Sequence, residues 1–470
     1  MFTETCIADF QRGTMKMDCQ LMRLTHRRNK EHFYEGPGYI QQDPDGVLEY
    51  RLYSIRRAGG VGLFDQLRTV PGKVADVNES YDLTANAYNG DTWTAEAVEL
   101  NDLNEVLFFG RLHSIRLSAV LTRNTGYSLR LHFFDTYVLP FSKYTSESRN
   151  GATFNALNAA SFDAGKLQFE ICSRAELTQT IVHCTALDCP VQNLSQRINE
   201  SLQFFTGKHA NWRVCRERTN NTETITLLSP TKELVSDTLQ APLLPTHNNI
   251  DRDWTLFIAY FEHVASTPRK CFWHPIAYLL YGARQSASNT ADAHAAALAL
   301  CISALAEFLP DPEENVDKKN ALAALKANLL EFAKTATSDA DLKDRLTKYI
   351  RQFGSPNLKD RLYFLASKQY VDPTYIPIWS RLRNKAAHPS FKDMEQVSAD
   401  NFQPYYDDVF ATTALMYQVI FFLVGYKGKT SDYGKRGFPV RQYPLADLTR
   451  AAKTGPGSNA ATHSPTAADD

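Results

Sequence analysis

The sequence changes character once, at the proline-rich segment Gln240–Thr246. From about Glu31 up to this segment, short runs that alternate apolar and polar residues or are rich in β-branched residues are separated by Gly, Pro and Asn-Gly. Beyond it, Ala, Leu and Lys recur with helical spacing. A two-residue period favours strands and a 3.6-residue period favours helices, so the chain needs two kinds of packing. We therefore predict an α+β protein of two domains, a β-rich domain at residues 1–245 and an all-α helical bundle at residues 250–450.

The first half should be mostly β, and we expect two sheets with one or two helices. Clear strand patterns lie at Val47–Tyr53, Arg111–Val120, Ser128–Phe134, Lys166–Ile171 and Thr224–Leu228, and one helical period lies at Val191–Phe205. Gly207 should stand just past the end of that helix. In the second half, helices are predicted at Asp251–His263, Ala291–Leu309, Lys318–Lys334, Asp339–Phe353, Leu358–Ser367, Pro377–Ala387 and Phe402–Val424. Residues 451–470 are small and polar, which predicts a disordered tail.

Charge and hydropathy exclude some classes of protein. The 470 residues carry 51 Lys and Arg against 52 Asp and Glu, a net charge of -1. A generally basic coat for nucleic acid is therefore excluded. The longest apolar stretch, Ala414–Gly425, is much shorter than the roughly 20 residues of a membrane-spanning helix, so we expect no membrane partner. The first ten residues do not resemble a secretory signal, which favours a cytoplasmic location.

The cysteines do not predict a metal site. Eight cysteines are spread along the chain, and the tightest group with a histidine is Cys172, His183, Cys184 and Cys189. Zinc sites usually need paired ligands on one short turn, and a Cys-x4-Cys spacing with nothing matched downstream fits poorly. We interpret these cysteines as small buried thiols and predict no metal and no cofactor.

The segment Ile376–Phe391 contains the side chains best suited to acid–base chemistry and phosphate binding. On a helix, Trp379, Leu382 and Ala386 fall on one face, which we expect to pack into the bundle. Asn384 and His388 are four residues apart and lie on a face turned away from the core, while Arg383 lies at the border. Pro389 disfavours the α conformation at His388, so the imidazole should lie where the helix frays. A cation, an amide and an imidazole are thus expected on one exposed surface.

These three side chains suit phosphodiester chemistry without a metal. A histidine with a pKa near 6.5 can take a proton from a ribose 2′-hydroxyl or give one to the leaving oxygen. An arginine can hold the non-bridging oxygens and stabilise the charge that builds on phosphorus. The asparagine can fix the imidazole tautomer or bind the phosphate. A solvated helix end with an incidental histidine is the alternative that these residues alone leave open.

The segment Arg383-Asn-Lys-Ala-Ala-His388 resembles the R-x4–6-H signature of HEPN ribonucleases, in which a polar residue, often Asn, follows the arginine. Its surroundings are also similar to that family. Ala291–Leu309 resembles the first long HEPN helix, and Tyr405–Leu423 resembles the helix that follows the motif. The ending Val424-Gly-Tyr-Lys-Gly-Lys-Thr-Ser-Asp-Tyr433 resembles that of the ApeA-like HEPN family.

The resemblance covers roughly residues 250–445 and implies a HEPN ribonuclease domain behind a β-rich sensor or regulatory domain. It implies an anti-phage, abortive-infection endoribonuclease that cuts RNA, plausibly tRNA, after a phage-derived trigger is sensed. Arg383 and His388 carry over as catalytic residues and Asn384 as the polar residue beside them. In such ribonucleases two motif copies usually meet, which implies a homodimer with one composite site.

Two further groups of residues are candidates for supporting roles. Glu307 corresponds to an acid that the first long HEPN helix often carries, so the resemblance makes it a possible support for the site. The segment after the closing helix mixes cations with aromatic rings, which is a pattern suited to single-stranded RNA. The candidates for RNA contact are Lys427, Lys429, Tyr433, Lys435 and Arg436, and a solvated basic loop packed on the bundle is the alternative interpretation.

A second function of another class stays open at this point. A non-catalytic HEPN scaffold could bind a nucleotide or a partner protein, with recognition assigned to the β-rich half. The presence of both Arg383 and His388 argues against it, since a scaffold has no chemical need for the pair. Cleavage that resists EDTA and leaves cyclic phosphate ends would separate the two functions.

Overall fold

The computed structural model describes residues 2–445, apart from 59–75, 99, 104–105, 122–125, 150–151, 175–176, 188–190, 220, 231–238, 245–252, 268–271, 313–315, 336–338, 353–356 and 388–398. Two predictions, the position of His388 and the disordered tail at 451–470, lie outside the described residues. Cys189 of the cysteine group also lies outside them.

The chain divides into two units, but not at the predicted boundary. The first unit contains the chain up to Ala241 together with Pro245–His274, and the second contains Pro242–Leu244 and the chain from Pro275 onward. The helix predicted at Asp251–His263 exists, at Thr255–Ser266, but it packs in the first unit. The helical period predicted the helix itself, whereas the core that it packs against depends on distant residues.

The N-terminal unit contains three helices and sixteen strands in its described part. The helices are α1 (Phe2–Arg12), α2 (Leu194–Thr206) and α3 (Thr255–Ser266). The strands are β1 (Lys16–His26), β2 (Phe33–Gln42), β3 (Leu48–Tyr53), β4 (Arg56–Ala58), β5 (Tyr81–Ala87), β6 (Thr92–Val98), β7 (Asn101–Leu103), β8 (Leu107–Leu112), β9 (Ser114–Val120), β10 (Tyr127–Phe133), β11 (Lys143–Arg149), β12 (Ala152–Ala164), β13 (Leu167–Arg174), β14 (Gln179–Ala186), β15 (Trp212–Arg218) and β16 (Thr222–Leu228).

These strands form one antiparallel sheet in the described part of the chain, where two sheets were expected. The order is β11-β12-β13-β14-β10-β15-β16-β9-β6-β5-β1-β2-β3-β8-β7, with β4 also paired to β2. The two sheets expected from the sequence are joined into one where β6 pairs with β9. Strands β6 and β9 share only two residue pairs, Trp93 with Leu117 and Thr94 with Arg116.

Alternation along the strands produces the core, as the sequence pattern predicts. In β3, Leu48, Tyr50 and Leu52 are buried and their neighbours face outward. They belong to one cluster that also includes Phe10 of α1 and Leu227 of β16. Burial of such side chains contributes about 25 cal/mol per Å² of apolar surface, the main favourable contribution to folding.

An aromatic cluster packs α2 and α3 against strand β12 of the sheet. The ring of Phe162 on β12 stacks on Trp254, with the centroids 4.5 Å apart, and contacts Phe257 of α3 at 5.6 Å. Phe205 of α2 stacks on Trp254 at 5.3 Å. Gly207 then ends α2 as predicted, with φ of 70° and its N–H donating to the carbonyl of Gln203. A positive φ is readily adopted by glycine.

The C-terminal unit is a bundle of helices with a short β-hairpin. Its described helices are α4 (Pro275–Ala287), α5 (Ala291–Ala306), α6 (Val316–Thr335), α7 (Ala340–Gln352), α8 (Leu358–Ser367), α9 (Tyr375–Ala387) and α10 (Ala399–Leu423), and the hairpin consists of β17 (Gly428–Ser431) and β18 (Val440–Tyr443). Five of the six helices predicted for this unit are confirmed with shifted ends, α8 is confirmed with the predicted ends, and α4 was not predicted. The expectation of an all-α unit is wrong, because β17 and β18 pair antiparallel.

Helix α5 occupies the middle of the bundle. It packs against α4, α9 and α10. Its side chains Leu298, Ile302 and Leu305 are fully buried, as is the α10 segment from Ala414 to Phe421. Among the described residues, no helix is long and apolar enough to cross a membrane.

Candidate functional site

The predicted motif lies at the end of α9, and its inward face is confirmed in part. Trp379 and Leu382 are buried, and the indole Nε1 of Trp379 donates a hydrogen bond to the carbonyl of Ala299 on α5 at 3.0 Å. Ala386, however, is exposed, whereas the helical period placed it on the packed face. Further along α9, Lys385 already lies beside Asp292, the second residue of α5. The two helices therefore run antiparallel, and α5 begins too late to cover Ala386.

Arg383 and Asn384 are both exposed, as predicted. The guanidinium carbon of Arg383 lies 5.9 Å from the ring centroid of Trp379, so the two form a cation–π contact. Within the described residues, no carboxylate forms an ion pair with Arg383. His388 stands beyond the end of the described helix, so the convergence of the three side chains stays a prediction.

The cations on either side of Arg383 do have acidic partners. Arg381 pairs with Asp408 of α10 at the surface. The ammonium of Lys385 lies 3.7 Å from a carboxylate oxygen of Asp292 and 4.8 Å from the ring centroid of Tyr405. Of these three neighbouring cations, Arg383 is thus the one without a carboxylate in the described part of the chain.

Asp292 and Tyr405 were not predicted from the sequence. The hydroxyl of Tyr405 donates to Asp292 Oδ1 at 2.7 Å, across 113 residues of sequence. Burial, and then the Asp292 carboxylate, raise the pKa of Tyr405 far above its usual value, so the hydroxyl keeps its proton as a donor. No local pattern signals this pair, because its members lie on α5 and α10.

At its other end, α9 is fixed by buried charges. Asp432 and Asp372 are buried, and Arg441 of β18 has Nη1 2.8 Å from Asp432 Oδ2 and 3.6 Å from Asp372 Oδ2. The hydroxyl of Tyr375, the first residue of α9, donates to Asp432 Oδ1 at 2.5 Å. Asp372 also accepts hydrogen bonds from the backbone N–H and the hydroxyl of Thr374. This network, Asp372–Tyr375–Asp432–Arg441, holds the hairpin against the start of α9.

The ending Gly425-Tyr-Lys-Gly…Asp432-Tyr433, together with Gly434 that follows it, is part of this structural network. The N–H of Gly434 donates to Asp432 Oδ1, and a Cβ at this position would lie 2.4 Å from the Tyr375 ring. A Cβ at Gly428 would likewise lie 2.4 Å from the hydroxyl of Tyr426. Glycine is therefore needed at both positions for close packing, and the aspartate is needed for charge pairing.

The predicted RNA contacts divide into two groups. Lys427, Lys429, Lys435 and Arg436 are exposed on the hairpin. Tyr433 is only 2% exposed and packs between Tyr417 and Phe438, so no base can stack on its ring in this structure. For Tyr433 the prediction is wrong, because the apolar ring serves the core rather than a ligand.

The structure does not bring Glu307 to the motif. Glu307 follows the last residue of α5, fifteen residues after Asp292, which corresponds to about 22 Å along a helix. Its carboxylate lies 3.7 Å from Arg361, which also pairs with Asp311 and donates to the carbonyls of Ala306 and Glu307. Glu307 therefore helps to close the end of α5.

Cys172, Cys184 and Cys215 lie on strands β13, β14 and β15. Cys184 and Cys215 are buried and Cys172 is partly buried. Burial raises the pKa of Cys215 far above its usual value, so this thiol stays protonated. In the part of the chain that the structure describes, no three His, Cys, Asp or Glu side chains lie close enough to hold a metal ion.

Comparison of the chain with protein-family models, with curated proteins and with solved structures finds no match.

Proposed function

We propose that this protein is a metal-independent endoribonuclease of the HEPN type, with Arg383, Asn384 and His388 as its motif. One observation carries the proposal. Arg383 and Asn384 project from the exposed end of α9, and Arg383 lacks a carboxylate among the described residues while Arg381 and Lys385 beside it have one. An arginine placed in this way is ready to bind an external oxyanion such as a phosphodiester.

Cleavage proceeds by internal attack in this proposal. His388 takes the proton of a ribose 2′-hydroxyl, and the 2′-oxygen forms a bond to the adjacent phosphorus. Arg383 stabilises the negative charge on the non-bridging oxygens, and Asn384 orients the imidazole or the phosphate. The bond from phosphorus to the 5′-oxygen then breaks, and this oxygen receives a proton. The products are a 2′,3′-cyclic phosphate and a 5′-hydroxyl, with no water consumed and no metal required.

The exposed position of the motif suits a composite site in a homodimer.

Tyr375 and Arg383 are eight residues apart on α9, roughly 12 Å along the axis. Lys435, whose ammonium lies 5.6 Å from the Tyr375 ring, therefore marks the other end of the same helix. In our proposal RNA, plausibly a tRNA, crosses this surface, with the hairpin cations Lys427, Lys429, Lys435 and Arg436 contacting its phosphates.

We further propose that cleavage serves anti-phage defence in the cytoplasm, by abortive infection. An unregulated ribonuclease would damage its own cell, so its activity needs a trigger. The N-terminal unit is the proposed sensor of a phage-derived trigger.

The test uses purified full-length protein and total tRNA in EDTA, with and without an extract of phage-infected cells. We expect cleavage that leaves cyclic phosphate ends in the parent and none in His388→Ala. Arg381→Ala, which removes the neighbouring ion-paired cation, is the matched control and should cleave like the parent. If the parent cuts no RNA under either condition, or if His388→Ala cuts equally well, the chain is not a HEPN-type ribonuclease and the scaffold function gains support.

A further inference from the structure

A second region with the features of a binding site lies in the N-terminal unit. A cavity of about 220 Å³ opens where β10 ends and where β15 and β16 meet. The residues that matter for its chemistry are Phe134, Asp135, Tyr137, His209, Asn211 and Arg213. None of them belongs to the ribonuclease motif, so ligand binding in this cavity is independent of the proposed function.

Arg213 is the unusual member of this lining. Its side chain is half-buried, and it lies against the rings of Phe10 and Phe134, 5.4 and 5.3 Å from their centroids. Its Nε donates to the carbonyl of Leu228 at 2.7 Å and its Nη2 to that of Gly46 at 3.1 Å. A guanidinium has five N–H donors. Within the described residues, three of them have no acceptor, and no carboxylate pairs with the charge.

Such a cation is costly to bury. Burial lowers the pKa of Arg213 to about 10, which means that the surroundings disfavour its charge. Backbone carbonyls and aromatic rings offset part of this cost, but a full negative charge would offset it better. A surface arginine would be solvated instead, and a purely structural one would normally have an acidic neighbour.

The polar residues of the lining are held by hydrogen bonds. The Nδ2 of Asn211 lies 2.6 Å from His209 Nε2, and Asn211 Oδ1 accepts a hydrogen bond from Asn199 of the buried helix α2. Asn211 is thus fixed in orientation by both neighbours. Asp135 is exposed at the mouth, and its Oδ1 already accepts a hydrogen bond from the N–H of Thr136 at 2.7 Å. Its charge is therefore largely screened by solvent.

We infer that this cavity binds a small organic oxyanion, a carboxylate or a phosphate monoester with a compact ring. Arg213 would take the two oxygens in a bidentate grip, and the ring would lie against Phe134 and Tyr137. The volume exceeds that of inorganic phosphate and would suit a single ring with one charged group.

The same unit contains a natural control. A second cavity, of about 290 Å³, is lined by Arg111, Glu49 and Tyr50 among others. There the guanidinium Nε of Arg111 lies 4.0 Å from Glu49 Oε1, so its charge already has a carboxylate. Arg111 is thus a cation with an acidic partner, whereas Arg213 has none in the described chain. Arg51, which also lines the second cavity, lies 6.0 Å from the ring centroid of Tyr39.

The experiment titrates full-length protein with benzoate, phenyl phosphate, inorganic phosphate and uncharged benzyl alcohol, using ligand-observed NMR and thermal shift. We expect benzoate or phenyl phosphate to bind, and the stronger of the two identifies the oxyanion. Benzyl alcohol should bind at least about tenfold more weakly, as expected when a charged hydrogen bond is lost. If neither anion binds, or if benzyl alcohol binds equally well, the inference is wrong.

Variants locate the site. Arg213→Met should weaken binding of the better anion at least about tenfold, while Arg111→Met should change it less than twofold. Should Arg213→Met fold poorly, Arg213→Lys keeps the charge and loses the planar fork, and it too should weaken binding several-fold. Equal binding by the parent and by a folded Arg213 variant would overturn the assignment.

Discussion

The two ends of α9 show opposite solutions to the placement of charge. At the start, Arg441 lies between two buried carboxylates and a tyrosine hydroxyl, and each charge has a partner. At the other end, Arg383 lies exposed above an indole ring. The first arrangement fixes the helix, and its cation is already paired with carboxylates. The second holds little of the fold together and leaves a cation exposed, so the helix is anchored at one end and, among the described residues, has its unpaired cation at the other.

The largest expected effect follows from removal of the buried anion. Asp432→Ala should lower the free energy of unfolding of the C-terminal unit by about 3–5 kcal/mol, because it leaves Arg441 short of a counter-charge and Tyr375 without its acceptor. Urea unfolding together with hydrogen exchange over Tyr375–Ala387 measures the loss. Asp408→Ala, which breaks the exposed pair with Arg381, is the control and should cost about 1 kcal/mol or less. Similar losses in both variants would mean that the two ends of α9 do not differ in how strongly they are anchored.

The next effect concerns activity at the exposed end. Arg383→Ala should reduce RNA cleavage about 10²–10³-fold, as is typical when a group that stabilises transition-state charge is removed. Its free energy of unfolding should change by less than about 0.5 kcal/mol, because the side chain is exposed. Rate measurements and urea unfolding on the same preparation separate the two. A variant that is unstable but still cleaves normally would reverse the roles assigned to Arg383.

A smaller effect tests the packing of the hairpin. Gly434→Ala places a Cβ 2.4 Å from the Tyr375 ring and should cost about 1–3 kcal/mol of stability. Gly282→Ala in α4 is the matched control, since its Cβ would meet nothing within 4 Å and alanine favours helix by about 1 kcal/mol. Opposite signs in the two thermal shifts support close packing at Gly434, and equal signs contradict it.

The smallest effect concerns the surface pair beside the motif. Lys385→Met removes an exposed ion pair with Asp292 and should change stability by no more than about 1 kcal/mol. A double-mutant cycle with Asp292→Asn measures the coupling, which should weaken further in high salt. A coupling of several kcal/mol would mean that this end of α9 is anchored as firmly as its start.

The sequence predicts local features of this protein well and distant pairings poorly. The inward direction of Trp379 and Leu382 follows from helical period. The predicted bounds of α8 also match the structure, in which Asn357 and Asp360 form a capping box at its start. The exposure of Ala386 does not, because it depends on where α5 begins. The pairs Asp292–Tyr405 and Asp372–Arg441 join residues far apart in the chain, and no period relates them. Tyr433 illustrates the same limit, since basic and aromatic residues in alternation look alike whether the rings are exposed or buried.

The narrow join between β6 and β9 makes the large sheet mechanically uneven. In the described part of the sheet, neighbouring strands other than β6 and β9 share at least five residue pairs, apart from the short strands β4 and β7. Strands β6 and β9 share only two. The backbone hydrogen bonds that hold the seam contribute on the order of 1 kcal/mol each, so its cohesion depends mainly on buried side chains such as Trp93. The two flanks of the sheet can thus separate here at the lowest cost in backbone hydrogen bonds. Because one hydrophobic cluster contains residues from both flanks, such as Leu227 and Leu83, the buried core rather than the backbone ladder holds the unit together across this seam.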